Sequence, residues 1–326
     1  MKSSNSKLST LLVCFALSLA IFAPAEGSLL SGDILAIESG TIWRVDPTTG
    51  VETAFSSVPW GRDITASATG QIIALGTNDV YHIDAVTGAA NKINSTPFPS
   101  QALGMGLAPN GDIYVAQGGS GTASRVQKVE WPDGEVSDVT TSWSNSSIPS
   151  DVFVESSTSL LVTSLSTHGG IYRVDLSTGD ETALHTGTPL IGATGITSGG
   201  PLGYVVTDYH AVKVFAWDGT SNPPTVISEG GGFVDPRQSL VDADGTILVA
   251  DTNEPPGGPG YIFRVDPSDG SKTIVSQGTY TPGHGVGGLD NPYSVAIYHP
   301  IPEPSALVLL ATAALGFVGF RWRRRW

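Results

Sequence analysis

Three carboxylates fall at one position of a recurring pattern: Glu38, Asp208 and Asp251 each close a short apolar stretch, where three other copies carry Gly76, Gln117 and Ser164. Asn78, His168, His210, Asn253 and Glu254 stand a few residues further on. Carboxylates and amides gathered about one axis would suit Ca²⁺ or Mg²⁺, which take oxygen ligands, and such an ion could polarise a lactone carbonyl. Acids at strand ends also have a plainer use, bonding the backbone of a turn or facing water. Gathering them requires a scaffold that sets equivalent strand ends around a common centre.

Other chemistry is poorly supported. The histidines at 82, 168, 185, 210, 284 and 299 show no HExxH or regular metal spacing, and no GxSxG elbow occurs. The run Gly283-His284-Gly285-Val286-Gly287-Gly288 lacks the strand-to-helix setting of a phosphate loop. Cys14 is the only cysteine and lies in an apolar leader, so the folded part would hold no thiol. Residues 28 to 300 carry 28 acidic and 10 basic side chains, a net charge of −18. Such a lobe repels nucleic acid and attracts cations, and no nucleic-acid partner is expected.

The scaffold is legible as an internal repeat. Ile42-Trp43-Arg44-Val45-Asp46 has five counterparts, ending at Asp84, Glu130, Asp175, Asp218 and Asp266, with steps of 38, 46, 45, 43 and 48 residues between the closing acids. That spacing fits a four-stranded propeller blade. A second apolar strand precedes each copy, as in Ile34 to Ile37 or Ile247 to Ala250, and an acid-to-glycine turn such as Asp46 to Gly50 follows it. Glycine accepts positive φ and aspartate bonds the turn backbone, so these turns are hairpins and need no calcium. Where the third position is basic, as at Arg44, Lys128, Arg173 and Arg264, it can lie beside the acid at the fifth, as a solvated rim.

Innermost strands are expected at Ile64 to Ala66, Met105 to Ala108, Val152 to Val154, Thr194 to Thr197 and Ser239 to Val241. The first blade lacks one. Tyr293 to Tyr298 is the piece left over, and it would close the ring by pairing with Ile34 to Ile37, burying Val295 and Ile297. The fold class is therefore all-β: a six-bladed β-propeller over residues 28 to 300, its ring closed by a C-terminal strand.

Both ends read as processing signals. Lys2 and Lys7, an apolar run from Leu8 to Phe22 and the small residues of Ala23-Pro24-Ala25 make residues 1 to 25 a signal peptide, to be cut by signal peptidase. Residues 301 to 326 begin with Pro302-Glu303-Pro304, continue through an uncharged stretch from Ser305 to Phe320, and end in Arg321, Arg323, Arg324 and Arg325. The arginines would hold that end on the cytoplasmic side of a membrane crossed by a short helix.

This tail resembles the PEP-CTERM sorting signal of Gram-negative bacteria. The resemblance implies that Pro302, Glu303 and Pro304 are recognised by an exosortase, an integral membrane protease or transpeptidase. It also implies an exported protein of the cell envelope or surface, transiently anchored in the inner membrane, in hosts that often make exopolysaccharide. The middle section resembles the propellers of the NHL and gluconolactonase-like superfamily, through elements such as Gly111-Asp112-Ile113-Tyr114-Val115-Ala116. Enzymes of that group hold a metal with Glu, Asn and Asp near the channel mouth. The resemblance makes Glu38, Asp208 and Asp251 the nearest metal candidates here.

Two functions remain in view. One is a non-catalytic module presenting the propeller to extracellular polysaccharide or a surface protein, which calls for no cofactor. The other is a lactonase-type hydrolase dependent on Ca²⁺ or Mg²⁺.

Overall fold

The computed structural model describes residues 28–118, 124–143, 147–165, 169–252, 259–278 and 289–300. The signal peptide over 1 to 25 and the sorting segment over 301 to 326 lie outside the described residues, as do His168, Asn253, Glu254 and the Gly283 to Gly288 run. The described residues form six four-stranded antiparallel sheets and no helix.

Five sheets follow chain order, and the first is completed from the far end of the chain, in the order Ser294–Ile297, Ile34–Glu38, Thr41–Val45 and Glu52–Ser57. Ile34 pairs with Ile297 and Ile37 with Ser294. The expected closing strand is thus in place. Val295 is buried as expected, but so are its neighbours Ser294 and Ala296, and Ile297 is only half-buried. The other innermost strands are Asp63–Ala66, Gln101–Leu107, Ile148–Val154, Ala193–Gly200 and Pro236–Val241. Each contains or overlaps its expected segment and begins earlier in the chain.

Alternation explains why both faces of a blade are apolar. Successive side chains of a strand point to opposite faces, so Ile34 and Ala36 pack toward blade six while Leu35 and Ile37 pack toward blade two. Six apolar clusters result, one in each gap between neighbouring blades. In the repeated strand, positions one and four are buried in every copy, from Ile42 and Val45 to Ile262 and Val265. Full burial of each such side chain stabilises the ring by roughly 1.5 to 3 kcal/mol.

The hairpin turns behave as their residues dictate. Asp46 Oδ1 accepts the Thr48 and Thr49 amides at 2.9 and 2.8 Å, and Gly50 follows at φ +69°. The glycine also has a second role. A Cβ on Gly50, Gly88, Gly134, Gly179 or Gly270 would strike a backbone carbonyl of the preceding blade's outermost strand or the residue just after it, so these turns interlock neighbouring blades.

One expectation about the rim needs correction. The arginines at the third position do not pair with the acids at the fifth: Arg44 reaches Asp33 at 2.7 Å, Arg173 reaches Glu155 at 2.6 Å and Arg264 reaches Asp242 at 2.7 Å. The fifth-position acids Asp46, Asp175 and Asp266 already have turn amides to accept, which leaves the guanidiniums to the acids near the start of the neighbouring second strand. Only Lys128 holds its own fifth-position partner, Glu130, at 2.5 Å.

Candidate functional site at the channel and its mouth

The innermost strands line a central channel. At one mouth they begin and the second strands end, since Asp208 pairs with Ala193 and Asp251 with Pro236. Glu38, Asp208 and Asp251 all stand there, as the repeat requires. Each is engaged by the loop that leads into its own blade's innermost strand. Glu38 Oε2 accepts the Asp290 amide at 2.7 Å. Asp208 accepts from Ile191, Gly192 and Ala211 at 2.7 to 2.8 Å. Asp251 Oδ1 accepts the Asp235 amide at 2.6 Å and Oδ2 that of Val234 at 3.0 Å.

The three acids are therefore placed as three separate loop anchors and are not brought together. Among the described residues, no group of three or more His, Cys, Asp or Glu lies close enough to hold one ion. Burial raises Glu38 to about 7, above the opposing effect of its backbone hydrogen bonds. It raises Asp251 to about 7 in the same way. Of the neighbouring groups, the His210 ring is tilted against that of Tyr209 with centroids 3.8 Å apart, and the Asn78 carbonyl accepts the Phe98 amide at 2.8 Å.

At this mouth the channel narrows to a cavity of about 60 Å³, lined by Arg62, Leu103, Ser150, Thr194, Arg237 and Tyr293 among others. The Arg62 guanidinium lies over the Tyr293 ring at 5.1 Å, and Arg237 lies over Tyr209 at 4.7 Å. Deeper in, two aspartates that the sequence reading missed face the channel. Asp63 accepts the Ile64 and Met105 amides at 2.8 Å each and the Ser294 hydroxyl at 2.6 Å, joining blades one, two and three. Asp151 Oδ2 accepts the Ile196 amide at 2.8 Å, joining blades four and five. Burial pushes Asp63 up to about 6, and burial followed by the charge of Asp63 pushes Asp151 well above the carboxylate range. The signal was an aspartate just before the apolar run of an inner strand, in Arg62-Asp63-Ile64 and Ser150-Asp151-Val152.

Beside the narrow mouth, blade two carries an open cleft of about 640 Å³ lined by Trp60, Arg62, Asn78, Asp79, Tyr81 and Gln101, with prolines at its edges. Its walls are fixed by backbone bonds: Arg62 N to Leu75 O at 2.7 Å, Gly76 N to Asp79 O at 2.8 Å and Ala102 N to Thr77 O at 2.8 Å. Trp60 is 70% exposed at its rim, with φ +50°. A bulky residue in the left-handed region is an outlier, typically costing about 1 to 3 kcal/mol.

Residues 300–325 match the PEP-CTERM protein-sorting motif, so the chain carries that motif at its C-terminal end. No curated protein sequence matches the chain. Among solved structures, the nidogen/laminin complex contains a chain similar to this one at TM-score 0.63 and 11% identity, covering 82% of this chain and 98% of that one. A virginiamycin B lyase from Staphylococcus aureus is similar at TM-score 0.52 and 21% identity, covering 75% and 84%. A putative gluconolactonase is similar at TM-score 0.52 and 14% identity, covering 68% and 78%. At these identities the likeness establishes the six-bladed propeller fold alone.

Proposed function

We propose that this exported, envelope-sorted propeller is a non-catalytic binding module that holds a neutral saccharide stretch of an extracellular polymer in the cleft beside Trp60. The sorting motif implies an exosortase as processing partner, with Pro302, Glu303 and Pro304 as its recognition element. Transient anchoring in the inner membrane and removal of the leader by signal peptidase belong to the same proposal.

The observation that carries the reading is Trp60. An exposed indole on a strained backbone exposes apolar surface to water and gains nothing from the fold's own core. The apolar face of a pyranose ring would cover it, while Arg62, Asn78, Asp79 and Gln101 supply donors and acceptors for ring hydroxyls. The rival hydrolase would need Glu38, Asp208 and Asp251 free to bind an ion. Their bonds to backbone amides favour the plainer use of those acids.

Trp60→Ala separates the readings. In affinity electrophoresis through gels containing the host's neutral exopolysaccharide, the parent chain should be retarded and the variant should run freely with an unchanged melting temperature. Equal retardation of both would sink the proposal. Lactone hydrolysis that needs Ca²⁺ and is lost in Glu38→Gln and Asp251→Asn would establish the hydrolase instead.

A further inference from the structure

Residues 28 to 300 hold 10 basic side chains against 28 acidic ones, and eight of the ten form ion pairs with a carboxylate. The ninth, Lys272, bonds the Ser228 hydroxyl and the Glu229 carbonyl at 3.0 Å each and lies in the field of Asp251 and Glu229. The tenth, Arg62, pairs with no carboxylate among the described residues. Its company is neutral: the Tyr293 ring lies 5.1 Å from its guanidinium, and the Gln101 amide, turned so that its oxygen faces the arginine, accepts Nη2 at 2.5 Å and Nε at 3.3 Å. The nearby acids are spent elsewhere. Asp63 holds Ile64, Met105 and Ser294, and Asp79 holds Lys92 at 2.7 Å. In a lobe so rich in acid, a guanidinium fixed by a ring and an amide and left without a counter-charge marks a place for an anion.

That place is the narrow mouth. Arg62 is half-buried and borders the cavity of about 60 Å³, together with Leu103, Leu165 and Arg237. Arg237 is held by Asp235 at 2.6 Å, which balances its charge. No carboxylate is among the described residues of this lining, so the cavity faces one unbalanced positive charge. A monoanion matches it, whereas a dianion would leave a negative charge exposed to a lobe of net charge −18. The planar guanidinium suits a planar carboxylate. A cavity of this size has room for such a group, and the two leucines offer a wall to the carbon that bears it.

We propose that the narrow mouth of the channel binds a carboxylate, seated on the guanidinium of Arg62. A free small acid and an acidic sugar of the polymer both present that group. The site shares Arg62 with the Trp60 cleft and needs no saccharide there.

The probes are sodium acetate, acetamide, sodium sulfate and sodium digalacturonate, measured on the full chain in detergent by calorimetry and thermal melting, with ionic strength held constant by NaCl. Acetate should raise the melting temperature and bind with measurable heat, and acetamide, which has the same shape without the charge, should do neither. Sulfate should bind more weakly than acetate. Arg62→Gln should weaken acetate roughly tenfold or more, the worth of a charged hydrogen bond, while Trp60→Ala leaves acetate binding unchanged. Should Arg62→Gln fail to fold, Arg62→Lys takes its place, with a weakening of about threefold from loss of the planar fork. Digalacturonate binding more tightly than acetate, with the advantage lost in Trp60→Ala, would assign the carboxylate to the polymer; equal binding would assign it to a free acid. Equal stabilisation by acetamide, tighter binding of sulfate, or acetate affinity that survives substitution of Arg62 would each overturn the proposal. Retardation by neutral polysaccharide that depends on Trp60 would still stand in those cases, so the two proposals fail separately.

Discussion

Asp63 in the channel and Asp84 on the outer rim receive the same kind of company and respond in opposite directions. Asp63 accepts two backbone amides and one hydroxyl, from Ile64, Met105 and Ser294. Asp84 accepts two backbone amides and one hydroxyl, from Val86 and Thr87. Yet Asp63 is raised to about 6 by burial, whereas Asp84 is lowered by its hydrogen bonds. Three donors stabilise a carboxylate only if losing water costs less than they return. On the rim water never leaves. The same residue type is therefore a tie between blades in the channel and a turn-former at the edge.

The comparison breaks most visibly if the channel loses its closing strand. A chain ending at Asp290 lacks Ser294 and with it one of Asp63's donors, as well as the buried Val295 and Ala296. It should lose several kcal/mol of a total that is typically about 5 to 15 kcal/mol, and unfold less cooperatively, while a chain ending at Pro300 melts like the parent. Scanning calorimetry of the two chains decides this, and identical melts would refute the closure.

A smaller loss should follow from Asp63→Ala, which strands two buried amides and a hydroxyl; about 2 to 4 kcal/mol is expected from urea midpoints. Asp63→Asn keeps an acceptor and should lose less.

The pH dependence spreads over three carboxyls. Glu38 and Asp251 are raised to about 7 and Asp63 to about 6. A carboxyl whose folded pKa exceeds its unfolded value holds more protons when folded, so its contribution is full below about pH 4 and is lost as pH rises through 6 to 7. The urea midpoint should therefore fall between pH 4.5 and 7.5, and less steeply in Asp63→Asn. A midpoint that rises over this window would show that burial does not govern these groups.

Least of all should change at the rim. In Asp84→Asn the amide oxygen still accepts the turn donors, and the urea midpoint should not move measurably at pH 7. A shift as large as that of Asp63→Asn would erase the contrast between the two regions.

The sequence was informative wherever a residue's role repeats locally. Blade count and hairpin turns follow from spacing and alternation, because each depends on near neighbours in the chain, and the closing segment near Val295 follows by counting, as the one strand left over for the blade that lacked one. Asp63 and Asp151 were passed over because the apolar signal of an inner strand starts one residue later, at Ile64 and Val152. Their partners Ser294 and Ile196 lie 231 and 45 residues away, beyond any local pattern. Glu38, Asp208 and Asp251 were correctly seen as equivalent, but equivalence in a repeat cannot distinguish a ligand set from three loop anchors. Trp60 carried no periodic signal at all.

The seam in blade one also sets an order of events in time. Ile34 to Ile37 leave the ribosome more than 250 residues before Ser294 to Ile297, the strand that covers their edge. Pairings this distant form late, because the intervening chain must be brought together first. During synthesis and export, five blades can assemble while the first still presents an open edge, a surface prone to wrong pairing. The protecting strand stops just before the sorting motif begins at residue 300. Completion of the ring and delivery of the motif are therefore nearly one event, and a chain cut before Ser294 lacks both its address and the strand that closes its ring.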